Sequence, residues 1–202
     1  PLMQLLNEKG AESSIEDRKW FAKEAFAVSS GYDTAIFNYF DNGEGSYFRC
    51  AENDAKVLRY GENPHQKGLF FGKFGEMFEQ LHGKEISYNN LLDIDAAVSL
   101  IAEFDELTFA ILKHNNACGL ASRPVLVDAW KAALAGDPVS AFGGVLITNG
   151  KIDKATAEEM NNLFFEVVIA PGYDADALEI LEQKKNRIIS VSYTHLRAHE
   201  TK

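Results

Sequence analysis

Apolar residues recur along the first part of the chain at helical spacing. They predict a helix over residues 14–29, and Ser13 with Glu16 has the spacing of an N-terminal capping box. Gly31 is expected to end this helix, because glycine weakens helix interiors, and residues 34–40 predict a second short helix.

Beyond a turn-rich cluster at residues 41–45, which is the best candidate boundary, short apolar runs alternate with helical patterns. Strands are predicted over residues 68–74, 107–113, 145–148, 165–170 and 187–191. Helices are predicted over residues 93–104, 124–134, 154–162 and 175–184. This alternation predicts an α/β layered domain whose strands pair mostly in parallel.

The last stretch, residues 192–202 (SYTHLRAHETK), breaks this pattern. It is polar and has the periodicity of neither a strand nor a helix. We expect a disordered or foreign tail here, rather than a metal site built from His195 and His199. Because the chain starts at Pro1, we also expect it to begin inside a longer product or to have been processed.

Composition excludes several classes of protein. The net charge of −10 disfavours a general nucleic-acid binder, although a few local cations can still bind a small anion. No apolar run is long enough to span a bilayer, and Cys50 and Cys118 have no zinc-ligand spacing, so we expect a reduced, cytoplasmic protein without membrane contact. A phosphate-binding P-loop, a dinucleotide fingerprint and a nucleophile elbow are all missing, which disfavours kinases, dehydrogenases and serine hydrolases.

The first segment with candidate chemistry is LRYGENPHQ, residues 58–66. Gly61 permits a tight turn and Pro64 extends the residue before it, so polar groups cluster on a shaped loop. Arg59 could bind a phosphate and Tyr60 could cover a base or ribose. Local chemistry alone favours the alternative, a solvated turn with Arg59 in a surface ion pair.

A second segment is ILKHNNACG, residues 111–119, in which an apolar strand runs into Lys113 and His114 before a predicted helix. Ligands of open α/β sheets bind at the carboxyl ends of strands, and an imidazole can exchange a proton near neutral pH. The alternative is a solvated lysine beside a histidine that hydrogen-bonds the backbone. The residues alone leave the two interpretations equal.

Two further segments carry weaker signals. Gly143 and Gly144 would allow a ligand close to the backbone, but paired glycines more often form only a turn. Glu166 is an acid within an apolar strand, where such a residue more often faces outward than acts on a ligand.

Five segments occur together and in order: RYGENPHQ, LHGKEISYNNLLDIDAA, LKHNNACG, DPVSAFGG and EVVIAPGYDADALEIL. They resemble the transformylase part of the bifunctional purine enzymes, which join aminoimidazole carboxamide ribotide transformylase to inosine monophosphate cyclohydrolase. Several unlike motifs in the correct order are far more specific than any one alone. The resemblance implies that residues 1–45 end the cyclohydrolase module and link it to the first half of the transformylase, residues 46–191.

The resemblance implies a partial cytidine-deaminase-like layered αβα domain, preceded by a short helical segment and lacking the deaminase zinc. It also implies a homodimer in the full-length parent. Lys113 and His114 match the catalytic pair of the family. Five further positions match residues that contact the ribotide: Arg59, Tyr60, Asn90, Gly143 and Glu166.

The implied reaction transfers a formyl group from the co-substrate 10-formyltetrahydrofolate to the exocyclic amine of the ribotide. His114 would accept the amine proton, and Lys113 would stabilise the negative charge on the intermediate. Because most of the cyclohydrolase module and half of the transformylase are not in the sequence, we expect the chain alone to be inactive. The alternatives are a non-catalytic nucleotide-binding module of the same fold and a zinc-dependent deaminase, which the cysteine count disfavours.

Overall fold

A computed structural model describes residues 1–43, 45 and 47–192, so His195 and His199 lie outside the described residues. The chain forms two compact units, the first ending at Ala55 and the second beginning at Lys56. Of the helices in the described part of the chain, none has the length and apolar character that a transmembrane span needs.

The first unit contains two helices, α1 (Leu2–Lys9) and α2 (Ile15–Asp41). The predicted break at Gly31 is wrong, since α2 continues through it for 27 residues. A single glycine costs a helix only about 1 kcal/mol, which the remaining turns of so long a helix can offset. The turn cluster does end the helix, at Asn42 in the left-handed conformation with φ 45°.

The start of α2 is capped one residue later than predicted. Ser14, and not Ser13, accepts a hydrogen bond from the Asp17 amide at 3.1 Å, while the Asp17 carboxylate accepts one from the Ser14 amide at 2.8 Å. The Lys9 ammonium also donates to this carboxylate at 2.8 Å. That hydrogen bond and those of Ser14 lower the pKa of Asp17 to about 2.

The rest of the chain folds around a six-stranded sheet with the strand order β3-β8-β7-β6-β4-β5. Its strands are β3 (Phe78–His82), β4 (Thr108–Lys113), β5 (Asn116–Ser122), β6 (Gly144–Thr148), β7 (Phe165–Ala170) and β8 (Ile188–Ser192). A separate two-stranded sheet pairs β1 (Ala55–Val57) with β2 (Leu69–Phe71). The helices are α3 (Phe74–Met77), α4 (Tyr88–Ile101), α5 (Leu126–Leu134), α6 (Lys154–Met160) and α7 (Ala175–Glu182).

The α/β class is confirmed, but the prediction of mostly parallel pairing is wrong. Only β6–β7 and β7–β8 are parallel in the large sheet, whereas β4–β5, β4–β6 and β3–β8 are antiparallel. Because no helix separates β4 from β5, the chain reverses direction between these two strands. Neither β5 nor β3 was predicted, so the antiparallel pairs that they form were not expected. The cytidine-deaminase-like fold stays a prediction.

Boundaries differ from prediction where a cap or a pairing partner decides them. The helix predicted from Asp93 begins at Tyr88, because Ser87 caps it. The strand predicted over residues 68–74 stops at Phe71. Ser192, assigned to the tail, pairs with Phe78 as the last residue of β8.

The sheet is covered on both faces, which gives three layers. Along β4, Phe109 and Ile111 belong to the core cluster on the face covered by α5, α6 and α7, while Ala110 and Leu112 belong to the cluster on the face of α3 and α4. This alternation follows from the two-residue period of a strand. The central strands β6 and β7 are buried on both faces, so their ends are held rigidly in place.

The backbones of β5 and α5 approach each other closely at Gly119. A Cβ atom added to Gly119 would lie 1.9 Å from the carbonyl oxygen of Ala133. Gly119→Ala should therefore push the helix off the sheet and lower the free energy of unfolding by about 1–3 kcal/mol or more. Urea denaturation would measure the change.

Gly75→Ala is the matched control, because a Cβ atom there meets nothing within 4 Å. We expect that variant to change the free energy of unfolding by less than about 1 kcal/mol. Equal stabilities for the two variants would contradict the packing of α5 on β5.

Candidate active site

The candidate site lies at the edge of the large sheet that is formed by the end of β4 and the starts of β6 and β7. Because β4 runs antiparallel to β6, Lys113 at the end of β4 lies near Gly144 at the start of β6. The parallel pair β6–β7 then brings Phe165 beside Gly144. Lys113 lies at the carboxyl end of its strand, as predicted, but the same edge holds the amino ends of β6 and β7 rather than further carboxyl ends.

A cavity of about 340 Å³ opens at this edge. Six of the seven predicted site residues line it: Tyr60, Asn90, Lys113, His114, Gly143 and Glu166. Arg59 does not line the cavity, although its charge reaches the Glu166 carboxylate. Residues far apart in sequence are therefore brought together at one cavity.

His114 lies at the tip of a β-hairpin. The prediction that a helix follows it is wrong. His114 and Asn115 have φ angles of 52° and 63°, and two positive values in succession are the pattern of a two-residue type I′ turn. The Asn115 amide donates to the Asp93 carboxylate at 2.9 Å, and the Asn116 side chain donates to the His114 carbonyl at 2.8 Å. These bonds hold the turn at the rim of the cavity.

The Lys113 ammonium is anchored on the neighbouring loop. It donates to the Phe142 carbonyl at 2.8 Å, and the next amide in that loop, Gly143, donates to the Phe164 carbonyl at 2.8 Å. Gly143 has a φ angle of 74°, which favours glycine. Among the described residues the Lys113 ammonium has no other hydrogen-bond partner, so two of its N–H groups are available to a ligand.

The alternative interpretation of this pair, a solvated lysine beside a histidine that hydrogen-bonds the backbone, does not match the structure. Lys113 is half-buried and bonded to a carbonyl rather than free in water. The exposed imidazole of His114 makes no hydrogen bond with another described residue. Both side chains thus keep polar groups that can contact a bound molecule.

Glu166 is a half-buried carboxylate rather than an outward-facing acid. Lys84 donates to its Oε2 atom at 2.9 Å and the Asn90 side chain donates to the same atom at 3.4 Å. Burial alone would raise the pKa of Glu166, but the bond and charge of Lys84, with smaller contributions from Asn90 and Arg59, outweigh it and lower that pKa.

Asn90 also helps to cap the N-terminus of α4. Its amide donates to the Ser87 hydroxyl at 3.3 Å, and its side-chain oxygen accepts from the Ser87 amide at 3.3 Å, which completes a capping box. The side-chain nitrogen is what faces Glu166. Capping therefore fixes the orientation of the amide at the cavity wall.

The loop that bears Arg59 and Tyr60 is fastened to α4. The Tyr88 amide donates to the Tyr60 carbonyl at 3.1 Å, and the Asn89 side chain donates to the Glu62 carbonyl at 3.0 Å. Arg59 is exposed, forms no ion pair with another described residue, and lies with its guanidinium 5.5 Å from the centre of the Tyr60 ring. The surface ion pair expected from local chemistry is absent within the described residues.

Four polar residues of the cavity were missed by sequence analysis: Ser87, Asn89, Asp93 and Asn115. The spacing of Ser87 and Asn90 is a helix-start signal that could have located the first turn of α4. The Asp93 contact spans 22 residues of sequence, and no local pattern could have revealed it. Among the described residues, no three His, Cys, Asp or Glu side chains lie close enough together to hold a metal ion.

Comparison with known proteins places these residues in a family. The sequence matches the family described as the AICARFT/IMPCHase bienzyme over residues 1–202. The chain belongs to this family. The resemblance stated from the motifs is thereby confirmed.

Similar curated proteins carry the name bifunctional purine biosynthesis protein PurH. The chain is 74% identical to that of Bacteroides thetaiotaomicron over 95% of its own length and 38% of the relative. It is 46% identical to that of Rhodospirillum rubrum, over 92% of the chain and 37% of the relative. It is 44% identical to that of Caldicellulosiruptor bescii, over 89% of the chain and 37% of the relative. The chain thus spans less than two fifths of these family members.

The hairpin geometry makes a direct prediction about Asn115. Asn115→Ala should lower the free energy of unfolding by about 1 kcal/mol, because alanine is disfavoured at positive φ. Asn115→Gly should be neutral or stabilising, since glycine adopts that conformation freely. Urea denaturation of both variants would measure the difference, and the same loss in each would contradict the left-handed turn.

Proposed function

We propose that this chain carries the Lys-His part of an aminoimidazole carboxamide ribotide transformylase site, which acts in de novo purine biosynthesis. The observation that supports it best is the position of Lys113 and His114 side by side at the cavity rim, each with polar groups left for a ligand. Family membership supports the same reaction, because the family name joins this transformylase to the cyclohydrolase.

In this proposal the ribotide occupies the cavity and the loop of Arg59 covers it. The exposed guanidinium of Arg59 binds the phosphate, as its planar donors match phosphate oxygens. Tyr60 packs on the base or ribose from the cavity wall, and Gly143 and Asn90 line the same cavity. Glu166 accepts a hydrogen bond from a ribotide hydroxyl or amine.

The proposed chemistry is formyl transfer from 10-formyltetrahydrofolate. The ribotide amine is a weak nucleophile because its lone pair is delocalised into the imidazole and carboxamide. As its nitrogen bonds to the formyl carbon, His114 accepts the amine proton and Lys113 donates a hydrogen bond to the formyl oxygen, which becomes negative. The bond from that carbon to the folate nitrogen then breaks, and His114 can return the proton to the departing nitrogen.

Other activities of the family are left to the remainder of the parent protein. The chain spans 38% of its Bacteroides thetaiotaomicron relative, and we propose that it needs the other parts of that length to be active. Ring closure would belong to the cyclohydrolase module. The homodimer implied by the resemblance stays a prediction.

A chimaera tests the proposed roles. The chain would replace its matching segment in the Bacteroides thetaiotaomicron relative, and formyl transfer would be followed with ribotide and 10-formyltetrahydrofolate. His114→Ala should lower kcat by about 10²–10⁴-fold through loss of the proton acceptor. Lys113→Met should lower it by about 10²–10³-fold through loss of a donor to the oxyanion.

Lys131→Met is the control, because it removes an exposed ion pair with Glu159 on the α5–α6 face, away from the cavity. We expect that variant to keep wild-type activity. Undiminished formyl transfer in the His114 variant would contradict the proposed role. A chimaera that binds ribotide through Arg59 and never transfers the formyl group would support the non-catalytic binding module instead.

A further inference from the structure

Lys84 has no part in the proposed reaction, but its backbone is held in place close to Glu166. It follows Gly83, whose φ angle is 100° and whose Cα lies against the Arg187 carbonyl with no room for a Cβ atom. The Gln80 side chain donates to the Lys84 carbonyl at 2.8 Å. The turn between β3 and α4 therefore has a fixed backbone, and the direction of the lysine follows from it.

The lysine reaches Glu166 from the side away from the ribotide cavity. Glu166 lines both that cavity and a second one of about 300 Å³, whereas Lys84 lines only the second. The side chains of the pair are 23% and 38% exposed, so water screens their attraction only in part. This ion pair is more enclosed than that of Lys131 and Glu159, whose side chains are 53% and 43% exposed.

Both hydrogen bonds to this carboxylate use one oxygen. Lys84 and Asn90 donate to Oε2, while Oε1 accepts no hydrogen bond from another described residue. An ionised carboxylate has lone pairs on each oxygen, so a fixed Oε2 leaves Oε1 as an acceptor for a donor in the cavity.

We infer that Lys84 is a positioning residue, which holds Glu166 charged and oriented so that its free oxygen accepts a hydrogen bond from a ligand hydroxyl or amine. The identity of that ligand as the ribotide rests on the proposed function, but the coupling of Lys84 to Glu166 does not. No contact of Lys84 with the ligand itself is needed.

The size of the pKa change at Glu166 in a variant without Lys84 depends on the groups that still surround the carboxylate. Asn90 is 3.4 Å from the carboxylate and Arg59 is exposed, so neither replaces the 2.9 Å contact of an ammonium. The other charged or titratable groups around the two cavities are Tyr60, Asp93, Lys113, His114, Lys184, Lys185 and Arg187. Burial would then dominate, and the pKa of Glu166 should rise in a Lys84→Met variant.

The ligand-free test measures the titration of Glu166 by carbon-13 NMR in the 202-residue chain. The sign follows from the lowered pKa: the carboxylate is charged at neutral pH, and losing Lys84 should move its protonation to higher pH. Lys131→Met should leave the Glu166 titration unchanged. Circular dichroism would establish that every variant keeps its fold. An unchanged titration in Lys84→Met would overturn the inference.

The ligand test measures ribotide affinity of the chimaera by calorimetry between pH 5 and pH 8. Lys84→Met should weaken binding by about tenfold near pH 5 and less at pH 8, since protonated Glu166 loses its role as a charged acceptor. In a Glu166→Gln background the same substitution should add no further loss, because Lys84 acts through that carboxylate.

The two experiments distinguish a failure of the positioning role of Lys84 from a failure of the proposed function. A full additional loss in the Glu166→Gln background, or an affinity that Lys84→Met leaves unchanged at every pH, would overturn the positioning role. If the wild-type chimaera bound no ribotide, the proposed function would fall, and the ligand-free titration would still decide whether Lys84 controls Glu166.

Discussion

The candidate site depends on the antiparallel pairing of β4 with β6. A Cβ atom added to Gly144 would lie 2.7 Å from the Leu112 carbonyl oxygen, so the two backbones meet where one strand ends and the other begins. Lys113 follows directly and its ammonium reaches the Phe142 carbonyl of the neighbouring loop. A bulkier residue at Gly144 would force these two backbones apart.

Electrostatics at this edge differ from those of the whole chain. The net charge is −10, yet the two carboxylates that line the cavity, Glu166 and Asp93, are outnumbered by three cationic side chains nearby. These are Lys113 in the cavity wall, Lys84 in its ion pair with Glu166, and Arg59, whose charge reaches Glu166. A local excess of cationic groups suits a phosphorylated ligand. Because Lys113 and His114 make few bonds with protein groups, a bound molecule does not first have to displace strong internal partners.

Sequence patterns located the buried elements better than the exposed ones. The strand over residues 165–170 was predicted with the bounds that the structure gives, because a buried parallel strand is a continuous apolar run. The edge strand β5 was missed, since its glycine, alanine and cysteine lack strand alternation. Its pairing with β4 depends on left-handed backbone at His114 and Asn115, where no glycine signals it.

The motifs identified candidate residues without showing how they meet. Six of them share one cavity, but that follows from strand direction, which periodicity does not encode. The ion pair between Lys84 and Glu166 joins residues that are 82 positions apart in the sequence, so only the folded chain reveals it. Family membership explains why motif order was more informative than any single segment.

A crystal structure of the Bacteroides thetaiotaomicron chimaera with bound ribotide would test the central claim most directly. The account predicts density at the edge formed by the end of β4 and the starts of β6 and β7, with the reacting amine beside Lys113 and His114. Ribotide bound instead at the opposite edge of the sheet, near Thr148 and Ala170, would contradict it.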